Sequence, residues 1–112
     1  MIERIANYAD GFMPLFCIND DSGRLEDDAI ASLQEIARVA RDHGRYPHAM
    51  GLEIAVYPED KDATRVKQDI AYLESIGATH IHVRFPATAL DAQIAGLREF
   101  AAIRDDYLAG RK

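Results

Sequence analysis

The feature that most limits how this chain can fold is a hydrophobic period that switches from strand-like to helix-like three times in succession, with proline or glycine at the joins. The first strand candidate is Phe12 to Ile18, after the turn signal Asp10-Gly11. It is nearly continuous in apolar residues, as a strand covered on both faces should be. Pro14 cannot donate to a ladder, so this strand is expected to be irregular or at an edge. A polar loop with Gly23 follows. A long helix is then expected from about Glu26 to His43, with Ile30, Leu33, Ala37 and Ala40 on one face; Gly44 stops it and Pro47 prevents its continuation. The second strand is Leu52 to Tyr57, closed by Pro58. The second helix takes Asp62 as its N-cap, because a short carboxylate accepts bonds from the free amides of the first turn. Val66, Ile70 and Leu73 form its buried stripe, and Gly77 fits the left-handed position after its end. The third strand is Thr79 to Phe85, closed by Pro86. The last helix is expected to bury Leu90, Ile94, Leu97 and Phe100, with a polar tail from Asp105 to Lys112 that frays.

Strands alternating with helices imply parallel pairing through right-handed crossovers. The expected fold is therefore α/β, three βα units with a parallel sheet, in one domain over residues 1–112. A closed β/α barrel takes eight strands and roughly 250 residues, so the expectation is a partial TIM (β/α)8 barrel. Such a sheet leaves two open edges and one poorly covered face, and open edges invite pairing. A homo-oligomer is expected, a dimer joined through strand edges or sheet faces. The alternative is a small open sandwich whose N-terminal segment covers the bare face.

Charge and cysteine usage remove several function classes. A net charge of -6 disfavours nucleic acid and anionic membrane surfaces as partners, although a few local donors can still bind one phosphate. The single cysteine, Cys17, makes neither an internal disulfide nor a multi-cysteine zinc site; with no cationic motif beside it in sequence, it reads as a small core residue. There is no apolar leader at the N-terminus and no apolar run long enough to span a membrane, so a cytoplasmic location is expected.

The candidate chemistry sits on the second and third strands. Successive side chains alternate across a strand. Leu52, Ile54 and Val56 therefore share one face with Ile81, Val83 and Phe85, and these apolar sets should meet the helices. Glu53 and Tyr57, with His80, His82 and Arg84, fall on the opposite face, which in a barrel is the lumen. Tyr57 and Arg84 lie near the C-terminal strand ends, where barrels and open α/β sheets place their sites. Arg84 has the planar fork for a phosphate or carboxylate, and Glu53 with a histidine can form an acid/base pair. The same groups would equally satisfy one another in a polar interior or face water on an uncovered sheet. His80 and His82 share a strand face, but no third ligand is evident, so no metal is expected. His43 and His48 read as solvated, and the acidic run Glu59 to Asp62 as a solvated helix start. No nucleotide-binding glycine motif, Walker loop or nucleophile elbow occurs, and no catalytic residue is assigned.

Arg4-Ile5-Ala6-Asn7-Tyr8-Ala9-Asp10-Gly11-Phe12-Met13-Pro14-Leu15 resembles a recurring stretch of the luciferase-like monooxygenases, the family of FMN- and F420-dependent oxidoreductases. There the stretch is a helix end, then Ala-Asp-Gly-aromatic, then a short barrel strand with proline. His43-Gly44-Arg45-Tyr46-Pro47 is similar to the family's Gly-Arg-x-Pro turn. Leu52 to Val56 and Gly77 to Pro86 look like its following strands. The resemblance covers nearly the whole chain and implies the C-terminal part of the barrel, a truncated form that lacks the first five strands, which in the family supply much of the flavin site. It implies FMN or F420 as cofactor; the residues left to bind it, by their place on the strands, are Arg84 and Tyr57, then Glu53 and His82. Two readings follow: an oxidoreductase segment not catalytically complete alone, or a non-catalytic oligomerising α/β module without a cofactor.

Overall fold

The computed structural model describes residues 1–112 apart from Leu15, Ala87, Thr88, Arg111 and Lys112, and apart from the side chains of Asn7 and Tyr8. Its elements are helix α1 (Ile2–Tyr8), strand β1 (Gly11–Phe12), helix α2 (Asp27–Asp42), a 3₁₀ turn at Pro47–Ala49, strand β2 (Gly51–Val56), helix α3 (Ala63–Ser75), strand β3 (His80–Val83) and helix α4 (Leu90–Ala109). The strands form one parallel sheet in the order β1-β2-β3. The chain is thus an α/β protein with an open three-stranded parallel sheet, as the alternation of periods requires.

Strand β2 is central because both its neighbours pair with it and its apolar side chains point at the helices. Ile54 (0% exposed) and Val56 (2%) pack with Val66, Ile70 and Leu73 of α3 and with Phe100 of α4. Burying aliphatic side chains of this size contributes roughly 1.5–3 kcal/mol each. Leu25 and Ala29 bring the start of α2 onto the same core. A second, smaller cluster joins Ala6 of α1 to Ile36 and Ala40 of α2 and to Met50. Arg45 ties this end together: its guanidinium donates to the carbonyls of Ala6 (2.8 Å) and Ala9 (2.7 Å), two of the acceptors a helix end leaves open.

Local signals act where the sequence places them. The Asp62 carboxylate accepts the Arg65 backbone N–H at 2.8 Å and starts α3. Gly77, at φ 100°, takes the left-handed position after the end of that helix, which a side chain would resist. Thr79 sets the register of β3 on β2: its backbone N–H donates to the Leu52 carbonyl at 2.9 Å, and its hydroxyl accepts the Leu52 N–H at 2.9 Å.

Four expectations need correction. The first strand is regular only over Gly11–Phe12; Leu15, in the middle of the expected run, lies outside the described residues, and Pro14 has no N–H to extend the ladder. Cys17 is exposed rather than a core residue. In α4 the buried face is Phe100 with the partly buried Ile103 and Tyr107, while Leu90, Ile94 and Leu97 are exposed. Helix α4 also continues to Ala109, through most of the segment expected to fray.

Gly96 explains the orientation of α4. A Cβ at this position would lie 2.6 Å from Cε1 of Phe85, so the absence of a side chain lets the end of the β3 segment press against this face of the helix. The same side is tied to α3 by the ion pair of Lys67 with Asp106 and by the Tyr107 hydroxyl, which donates to Glu74 at 2.9 Å. Gly96→Val is expected to force Phe85 off the helix and cost about 1–3 kcal/mol, the usual penalty for overpacking. Urea unfolding followed by circular dichroism checks this, and an unchanged midpoint would refute the account of how α4 is seated.

Candidate functional site

The register of β2 and β3 pairs Glu53 with His80, Ile54 with Ile81, Ala55 with His82 and Val56 with Val83. Residues of one parity therefore share a face across both strands. Ile54, Val56, Ile81 and Val83 meet the helices, and Glu53, His80 and His82 take the other face. The ladder runs on to Arg84, whose backbone N–H donates to the Val56 carbonyl at 2.9 Å.

Of the expected site residues, the structure brings Glu53 and His82 together. His82 Nδ1 lies 3.1 Å from Glu53 Oε2. The approach is off the line a hydrogen bond requires, so this buried ring nitrogen has no hydrogen-bond partner. A small rotation of either side chain would make the pair a hydrogen-bonded imidazole and carboxylate, able to hold a proton between them. His80 is exposed, with Nδ1 2.9 Å from the Thr79 hydroxyl. Arg84 is exposed, and among the described residues its guanidinium has no ion pair or hydrogen bond. Tyr57 is 37% exposed. These two stand just past the C-terminal ends of β2 and β3.

A second group of residues at the same end went unread in the sequence. Asp69 of α3 is the one buried charged residue in the described chain, at 2% exposure. Its two carboxylate oxygens are divided between Lys61 Nζ (3.0 Å) and Arg65 Nε (2.9 Å). Lys61, only 13% exposed, also reaches Asp20 Oδ1 at 3.1 Å. The hydrogen bond and charge of Asp69 hold the Arg65 guanidinium above its ordinary pKa. Lys61 and Asp69 line a cleft of about 250 Å³ with Cys17, Ile18, Ala55 and Tyr57. The network clamps the loop after β2 and the loop around Asp20 to α3, at the strand ends where α/β folds build their sites. One signal for it was present: Asp69 falls on the stripe of Val66, Ile70 and Leu73, where an uncompensated charge would be too costly to bury, and Arg65 lies four residues before it. Lys61, read as part of a solvated acidic run, gave no such signal, because its partners lie on other elements.

Among the described residues, no group of three His, Cys, Asp or Glu side chains is placed to hold a metal ion, and no helix is long and apolar enough to cross a membrane. No family model, curated protein or solved structure matches the chain.

Asp69→Ala would remove the buried partner of Lys61. It is expected to destabilise the fold by about 3 kcal/mol, the low end of the range for breaking a buried pair, since Lys61 keeps Asp20. Asp20→Ala, which removes a carboxylate that is 77% exposed, is expected to cost at most about 1 kcal/mol. Equal losses from the two substitutions in chemical denaturation would show that burial of Asp69 is not what matters here.

Proposed function

We propose that this chain provides three βα units of the barrel wall of a luciferase-like oxidoreductase, acting on FMN or F420 and not catalytically complete by itself. One observation carries the reading. The sheet face away from the helices carries the half-buried Glu53 and His82, and just past its C-terminal end stands an exposed arginine, Arg84, with no partner among the described residues. An unpaired guanidinium at a strand end suits the phosphate or carboxylate of such a cofactor.

The residues present fit that group in kind. Arg84 would hold its anionic part. Tyr57, with its ring partly exposed, would lie against apolar parts of the ligand. Glu53 and His82 would hold a proton on the lumen side of the sheet. The cofactor, when bound, supplies the redox step; the protein positions it and excludes water. The Asp69 network would act at a remove, keeping the loop that follows Tyr57 in place.

A second reading is favoured by the edges of the same sheet. A parallel sheet whose outer strands, among the described residues, each pair on one side only serves equally as a non-catalytic oligomerising module.

Titration of the purified protein with oxidised and reduced FMN and with F420, followed by fluorescence, separates the two. Saturable micromolar binding supports the oxidoreductase reading. Arg84→Ala should then weaken it roughly tenfold to a hundredfold, since a charged hydrogen bond contributes about 1.5–3 kcal/mol. Tight binding that ignores Arg84→Ala would remove the proposed site. Absence of binding up to millimolar ligand would leave the module.

A further inference from the structure

Helix α4 carries two apolar faces, and only one of them is used. Phe100, Ile103 and Tyr107 meet the core. Leu90, Ile94, Leu97, Ala101 and Leu108 recur at intervals of three, four and seven residues, which aligns them along a single second face. Leu90 is 69% exposed, Leu97 51% and Leu108 48%. This line borders an open groove of about 460 Å³, whose opposite wall includes Ile81 and Val83 beside the outer edge of β3. Scattered surface leucines need no explanation, but an apolar line running the length of a helix marks an interaction surface.

We infer that this line is a self-association surface, on which a second copy of the chain lays its own α4 antiparallel, crossing at Ala101. Two features select a second copy as the occupant. The first is symmetry. Ile94 lies seven residues before Ala101 and Leu108 seven after it, so an antiparallel copy sets Ile94 against Leu108 of the second copy, and the reverse. Ala101, the small residue, falls at the crossing and lets the helices approach closely. A two-fold contact requires this kind of self-complementary patch.

The second feature is charge. On the outer flank of the line, Arg98 stands three residues before Ala101 and Asp105 four after it, both exposed. In the antiparallel arrangement each Arg98 comes beside Asp105 of the second copy, giving two reciprocal ion pairs. Arg104, which interrupts the line, has its guanidinium drawn aside to Asp105 at 2.8 Å, leaving its aliphatic stem to continue the apolar surface. The inference deepens the oligomerising reading, which it takes as its premise, and is independent of the flavin reading.

The test is sedimentation velocity on the full chain over a concentration series. The parent is expected to be a reversible dimer. Leu97→Glu should make it monomeric. Arg98→Asp should weaken the dimer roughly tenfold or more, and Arg98→Asp combined with Asp105→Arg should restore it. All of these sites are exposed, so far-UV circular dichroism should match the parent. In a Cys17→Ser background, Ala101→Cys should oxidise to a covalent dimer. A parent that stays monomeric would overturn both this inference and the oligomerising reading. A dimer that ignores Leu97→Glu, or a charge swap that does not restore it, would overturn the α4 surface alone and leave oligomerisation to the sheet.

Discussion

The burial of β2 against α3 is the constraint on which the rest of the molecule depends. Ile54 and Val56 are almost wholly enclosed by Val66, Leu73 and Phe100. Because side chains alternate along a strand, that burial also decides what lies on the other face. A slip of one residue would drive Glu53 and His82 into the helices and turn the aliphatic row to solvent. Thr79 guards against the slip through two hydrogen bonds to the backbone of Leu52 at the start of the β2–β3 ladder. The polar face is in this sense a by-product of the core.

The same helix that seals the core brings in its one buried charge. Asp69 precedes Ile70 and cannot reach water, so it takes Lys61 and Arg65 as partners, and Lys61 in turn takes Asp20. Three separate stretches of chain are thereby fastened at the C-terminal end of the sheet, next to Tyr57. Packing thus holds the middle of the sheet and charge holds the rim, where a ligand would arrive.

Much of this was legible in the residues. The order of elements, the Asp62 cap, the end of α3 at Gly77 and the shared face of Glu53, His80 and His82 all follow from rules that act within a few residues. The misreadings fall where a residue's environment is set from far away. Phe12 to Ile18 has the composition of a strand, and while Pro14 correctly marked it as irregular or at an edge, its length was misjudged: regular pairing covers Gly11–Phe12. Cys17 has no near neighbour that reveals its exposure. Lys61 looks like part of a solvated charge run until Asp69 arrives from the next helix. Helix α4 offered two apolar faces of similar strength, and periodicity alone could not rank them.

By itself, the sequence determined the α/β class, the parallel order and the polarity of each sheet face, because period, capping and turn chemistry are local properties of the backbone and its nearest side chains. Only the tertiary structure decided which face of α4 is buried and which charges pair at the rim. Those outcomes depend on contacts between elements far apart in the chain: the ring of Phe85 fits against Gly96, the hydroxyl of Tyr107 reaches Glu74, and Asp69 gathers cations from its own helix and from the loop before it. No local pattern encodes such meetings, since each requires two separately specified surfaces to be brought together by the core.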